Sequence, residues 1–230
     1  TYRLAGTRVY CETTGDKNEF MHLVIAWCEG PINAITAVYF DDIVSTDGRY
    51  SGLVTMTHHL GADSQTADSA LVAASSKWTS AHRLRGVAYT YLVLEYDPKA
   101  FPNIPVVSAV IEGKIVTSVT TGSSVFSNNP ADCIFDYLTN TRYGRSIPSG
   151  EIDVTSFQTA AALCAANISN SPEPSQDTYT CDGVLDIDQL TLDNIRALLS
   201  SCRGYLIFSG GLYKLIVDQA EARSEEHTSE

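Results

Sequence analysis

Two adjacent histidines, two groups of carboxylates, six cysteines and two tryptophans are the residues of this chain whose chemistry could go beyond packing. His58 and His59 fall in a strand-like run, where successive side chains leave opposite faces, so the pair cannot converge on one metal ion. His22, His82 and His227 stand apart from them in sequence. Asp41-Asp42 and the set Asp182, Asp186 and Asp188 are the best carboxylate groupings. Glycoside hydrolysis needs an acid and a base held at a set separation across the scissile bond, and neighbours on a turn do not supply that. Asp182-Gly183 also fails as a calcium loop, because no Asp or Asn follows at alternating positions and no Glu closes it. These groups read as solvated turn carboxylates.

The motif search gives the same answer. No G-x-S-x-G elbow, G-x-x-x-x-G-K phosphate loop, H-E-x-x-H or G-x-G-x-x-G occurs. Cys11, Cys28, Cys133, Cys164, Cys181 and Cys202 contain no C-x-x-C knuckle, and no histidine stands at a zinc-ligand spacing from them. They read as small buried hydrophobes of a reducing cytoplasm, with Cys133, Cys164 and Cys202 on apolar helix faces. Trp27 and Trp78 could stack on sugars, but single tryptophans in β domains are usually core. No catalytic residue, cofactor or metal site is expected, and the chain is not expected to be an enzyme.

Composition fits a folded domain: of 230 residues, 44% are hydrophobic and 18% charged. The formal net charge of -12 argues against nucleic-acid binding through a basic face, because an acidic surface repels phosphates. The longest apolar runs, 23–27 and 106–111, are strand-sized and far short of a membrane span.

The elements that must position these residues fall into two textures. Residues 1–122 read as a β-rich domain, with strands over 7–11, 22–28, 32–40, 53–59 and 86–96 and a short helix over 66–75. A further strand over 106–119 is expected to fold back as a hairpin at Glu112-Gly113-Lys114. Residues 123–222 read as a smaller α+β domain, a helix layer on a sheet. Asn129 caps and Pro130 opens its first helix, with Asp132 in the first turn and Ile134, Tyr137 and Leu138 buried. A second helix over 153–167 buries Val154, Phe157, Ala161 and Cys164. After an exposed loop at 169–177, residues 180–187 read as a strand. Thr191 is expected to cap a third helix that buries Leu192, Ile195, Leu198, Leu199 and Cys202 and ends at Gly204. A hairpin over 205–208 and 212–217 closes the order.

Both ends look unnatural. The chain opens at Thr1 without Met, so a true start upstream is expected. Residues 223–230 (RSEEHTSE) resemble a sequencing adapter translated in frame, and without them the net charge of -12 becomes -10, since three Glu and one Arg are lost.

Several separated segments resemble one family. Gly6-Thr7-Arg8-Val9-Tyr10 and the run from Leu23 to Ile32 that contains Glu29-Gly30-Pro31 are followed by Val38-Tyr39-Phe40-Asp41-Asp42-Ile43. Gly61-Ala62-Asp63-Ser64-Gln65, Gly86-Val87-Ala88-Tyr89 and Phe101-Pro102-Asn103-Ile104-Pro105 come next. Asn129-Pro130-Ala131-Asp132, Leu138-Thr139-Asn140-Thr141-Arg142-Tyr143-Gly144 and Ile147-Pro148 complete the series. In this order they resemble the tail-tip (central hub) proteins of long-tailed phages, similar to protein J of lambda-like phages. Arg145-Ser146 departs from the family, which often has Gly there.

The resemblance implies a structural hub fragment at the virion tail tip, made in the host cytoplasm and assembled as a homotrimeric ring. Its partners would be itself, other tail-tip and distal-tail proteins, and a host cell-surface receptor reached through a C-terminal region not in this chain. Arg142 and Tyr143 are the candidate interface residues, with the loops at 47–50 and 171–176 beside them. The alternatives are a carbohydrate-binding β module of an adhesin and a peptidoglycan-cleaving hub enzyme.

Overall fold

A computed structural model describes residues 2–168 and 175–219; most of the loop at 169–177 and all of 223–230 lie outside the described residues. The chain divides into two compact units, Thr1–Ile115 and Val116–Glu230.

The strands are β1 (Tyr2–Ala5), β2 (Thr7–Thr14), β3 (Phe20–Glu29), β4 (Ile32–Phe40), β5 (Ile43–Val44), β6 (Val54–Leu60), β7 (Val87–Glu95), β8 (Val107–Thr117) and β9 (Ser124–Phe126). One sheet has the order β2-β3-β7-β6, the other β1-β8-β4-β5, with β9 pairing β8. Period-2 patterning puts Leu23, Ile25 and Trp27 of β3 and Ala88, Leu92 and Leu94 of β7 on one face. There they meet Val38, Phe40, Val107, Ala109 and Ile111 of the other sheet in a common core. Each Val, Leu, Ile or Phe among them, fully buried, contributes about 1.5–3 kcal/mol.

The opposite face of β3 and β7 is also buried. Val24, Tyr89 and Tyr91 pack under Leu71 and Trp78, carried by α1 (Ser69–Ala74) and the loop after it. Asp68 starts α1 by accepting the Leu71 N–H at 2.9 Å.

The strands expected in this unit are present, with one correction: β8 runs straight through Glu112-Gly113-Lys114. A glycine between two charges looks like a turn, but Glu112 pairs with Ala34 and Lys114 with Ile32, and that ladder holds the chain extended. The reversal comes later, where Ser118 N donates to Ser123 O at 3.0 Å.

The second unit layers α2 (Pro130–Thr139), α3 (Val154–Cys164) and α4 (Thr191–Ser200) with the hairpin of β12 (Gly204–Ser209) and β13 (Leu212–Val217). A short pair, β10 (Asn167–Ile168) with β11 (Gln176–Asp177), stands beside them. Ile134, Tyr137, Leu138, Phe157, Ala161, Cys164, Leu198, Cys202, Leu215 and Val217 share the core. Gly210 and Gly211, both at positive φ (64° and 81°), make the hairpin turn. The α+β class, with a β-rich first part, is as the sequence implies.

Four local expectations are corrected here. Residues 180–187 form no strand: among the described residues none pairs with them, and Tyr179, Cys181 and Leu185 tuck against the helical core instead. Leu190 rather than Thr191 is the N-cap of α4, without a side-chain hydrogen bond. Arg203, at φ 53°, takes the left-handed position assigned to Gly204, which begins β12. Val154 and Leu192 are exposed, one at the first turn of α3 and the other at that of α4.

Candidate functional site

Arg142 and Tyr143 sit in the loop that follows α2. Asn140, the C-cap, accepts the N–H groups of Arg142 (2.9 Å) and Tyr143 (3.3 Å) on its side-chain oxygen. Arg145 N then returns to Tyr137 O at 2.9 Å and Ile147 N to Leu138 O at 2.8 Å, so the loop satisfies the open carbonyls of the helix end. A Cβ on Gly144 would lie 2.0 Å from Tyr137 O, so only glycine allows this return. Tyr143 donates its hydroxyl to the Asp136 carboxylate and packs against the unit's core. The two residues thus part company: Tyr143 braces its own helix, and Arg142 is exposed. Of the loop at 47–50, Tyr50 is buried against Phe40 and Phe101, leaving Gly48 and Arg49 outside.

The other residues with chemical potential are committed to structure. His58 hydrogen-bonds Thr90 and His59 hydrogen-bonds Asp68, on opposite faces of β6. Asp41 accepts Val106 N at 2.9 Å, and Asp42 pairs with Arg3 at 2.5 Å. Trp27 is buried and donates to Thr90 Oγ1 at 2.8 Å; Trp78 is buried between Tyr10 and His82. Among the described residues, no three His, Cys, Asp or Glu side chains come together in a group that could hold a metal.

The motif residues behave the same way. Gly30 and Gly61 meet backbone to backbone: a Cβ on Gly30 would be 2.6 Å from the Gly61 Cα. Gln65 accepts Gly61 N at 2.9 Å and donates to the carbonyls of Leu84 (2.7 Å), Arg83 (3.1 Å) and Val87 (3.2 Å). Asp132 is buried, accepting Val119 N and Ser127 Oγ. These are pins of the scaffold.

What the scaffold leaves outside is patterned by charge. Between Asp68 and Glu95 the sequence has no acidic residue, while Lys77, His82, Arg83 and Arg85 fall within it. The Gln65 clamp fixes this loop, so that exposed Arg83 and Arg85 line an open cleft of about 350 Å³ with Ala81 and Leu84. In the second unit no Lys, Arg or His occurs between Arg145 and Arg196, and Asp186, Asp188 and Asp193 are exposed there. On that same stretch Ile187 is 72% and Leu190 74% exposed. The outward face of the β12–β13 hairpin adds Tyr205, Ile207 and Ile216, all exposed. Exposed apolar side chains rimmed by charge mark protein-binding surfaces. No run of Lys and Arg marks the first of these surfaces in the sequence; its basic character comes from scattered cations in a stretch without acidic residues.

No protein-family model matches the chain. It is similar to tip attachment protein J of Escherichia phage SECphi27, at 26% identity, in a match that takes in 60% of this chain and 13% of that protein. Among solved structures it is similar to a chain from the virion of a native gene transfer agent particle, with a TM-score of 0.59 and 16% identity. That match covers 94% of this chain and 50% of the other. The chain therefore spans 13% of the length of the curated relative and half of the structural one. The first similarity bears out the resemblance to phage tail-tip proteins read from the motifs; the second shows a shared fold.

Proposed function

We propose that this chain is a structural part of a phage tail tip: a portion of the hub that carries host attachment and lets DNA pass. It does no catalysis of its own. The observation that carries this reading is the match to tip attachment protein J, joined to the order of the shared motifs. The structure supports it indirectly. The residues with catalytic potential are taken up by turns, caps and core contacts, while the exposed features are those of a protein–protein surface. A heterologous ring contact joins two different patches on each copy, and the exposed Arg83 and Arg85 and the exposed Asp186, Asp188 and Asp193 are patches of opposite sign that suit such a contact. An acidic wall also does not adhere to a phosphate backbone, which suits a ring through which DNA leaves.

In this reading the ring is a homotrimer, its neighbours are other tail-tip and distal-tail proteins, and the receptor is met by polypeptide beyond this chain. Antibodies raised against the chain, used with gold labelling on purified virions, test it. Label at the distal end of the tail is expected; label on the head, or on no part of the particle, would overturn it. Clearing of purified peptidoglycan by the protein would contradict the non-enzymatic role.

A further inference from the structure

Arg83-Leu84-Arg85 and Asp186-Ile187-Asp188 have the same arrangement with opposite sign, an apolar residue between two like charges. Each sits in a loop that the fold pins from behind. In the first unit Leu84 stands at φ 45°, a left-handed conformation that leucine rarely adopts. Gln65 holds it by donating to the Arg83 and Leu84 carbonyls, and Val87 N donates to Leu84 O at 3.0 Å. Two exposed guanidinium side chains therefore flank a half-buried leucine along the open cleft. In the second unit residues 186–189 form a turn, in which Gln189 N donates to Asp186 O at 3.2 Å and Asp188 N to Asp186 Oδ1 at 2.9 Å. Buried Asn194 fastens this turn, donating to Asp186 O at 2.8 Å and to the Tyr137 hydroxyl at 3.1 Å. Exposed Ile187 stands at its tip between the two carboxylates. Among the described residues, none of these four charges is in an ion pair.

We propose that the 186–189 turn of one copy docks in the Arg83–Arg85 cleft of a second copy, with Ile187 against Leu84 and the two carboxylates on the two guanidinium groups. Charge selects this occupant. Copies with a net charge of -12 repel one another over most of their surface, and the cleft lies in a stretch, between Asp68 and Glu95, that has no acidic residue. Guanidinium and carboxylate groups pair in a two-pronged geometry that fixes orientation as well as attraction. Both loops are already held in place by hydrogen bonds, so docking costs little ordering entropy.

Turn and cleft are different surfaces, so the contact is head to tail and leaves each copy one turn and one cleft for further neighbours. It deepens the tail-tip reading, on which it rests for the ring that such contacts would build.

Sedimentation velocity of the purified full chain over rising concentration reads the contact. Reversible self-association is expected in about 0.1 M salt, and a weaker one in about 1 M, where the screening length falls from about 10 Å to about 3 Å. Arg83→Glu with Arg85→Glu, and separately Asp186→Asn with Asp188→Arg, should each raise the dissociation constant about tenfold or more. Asparagine in place of Asp186 keeps the acceptor that closes the turn. Mixed in equal amounts, the two variants should pair again, because the unaltered turn of one meets the unaltered cleft of the other. An unaltered chain that stays monomeric at every concentration, variants that associate as it does, or a mixture no stronger than its parts would overturn the proposal. The unaltered chain and its salt dependence decide the matter even if a variant does not fold. Gold label at the tail tip together with a monomeric chain removes this contact and leaves the tail-tip reading standing. Pairing through turn and cleft with no label on the virion supports the contact and removes that reading.

Discussion

Gln65 ties four backbone groups together with one side chain, and it belongs to a motif whose purpose the sequence leaves open. Gln65→Ala should cost about 3 kcal/mol, because it strands buried carbonyls and an N–H without partners. Chemical denaturation, read by tryptophan fluorescence, checks this, and an unchanged midpoint would remove the clamp from the account. His22 gives a pH dependence with a definite sign. It is buried, stacked on Tyr91 and hydrogen-bonded to Thr14 and Tyr91, and its burial lowers its pKa below 6.5. The unfolded chain therefore takes up the proton first as pH falls, so the stability of the neutral form is complete above about 6.5 and declines below it. Glu12 adds a lower window. Hydrogen bonds from Ser75 and Tyr10 bring it down to about 2, so its contribution is present above the unfolded value of about 4.3 and lost on approach to pH 2. Unfolding midpoints from pH 7 to 5 should fall in the wild type and less in His22→Gln. Equal slopes would exclude His22 as the cause. Neither His22 nor Gln65 could be assigned its partners from sequence, because these lie anywhere from 4 to 69 residues away and only the fold selects them.

At the scale of elements, the return of the 140–147 loop onto α2 depends on Gly144. Gly144→Ala should destabilise the second unit by about 2–4 kcal/mol, measured by thermal unfolding, since a Cβ 2.0 Å from Tyr137 O forces the loop off the helix end. The outward face of the hairpin behaves oppositely. Changing Tyr205, Ile207 and Ile216 together to Thr should leave folding within about 0.5 kcal/mol while weakening self-association seen by light scattering. A folding loss with association intact would make that face part of the core. Most elements were legible because period-2 strands and capped helices write themselves locally: Asn129-Pro130 marked α2, and the paired glycines marked the hairpin. The two misses over strands have one cause. Glu112-Gly113-Lys114 looked like a turn and residues 180–187 looked like a strand, and in both the presence or absence of a pairing neighbour decided the outcome.

For the molecule as a whole, motif recognition went further than residue chemistry. The quoted motifs proved to be caps, close backbone approaches and clamps, which identify a scaffold but leave its working surface unmarked. Arg142 stayed outside while Tyr143 turned inward, since the Asp136 carboxylate in the last turn of α2 accepts its hydroxyl. Charge segregation offers the better guide to assembly. Arg83→Glu with Arg85→Glu should leave the unfolding midpoint unchanged and reduce assembly, with the largest effect at low salt. The most direct test of the tail-tip role is a reconstruction of the distal tail of virions from the source phage. The account predicts density there that fits residues 2–115 and 116–219 as separate units, repeated around a three-fold axis. A tail tip whose density is fully accounted for by other chains would contradict it.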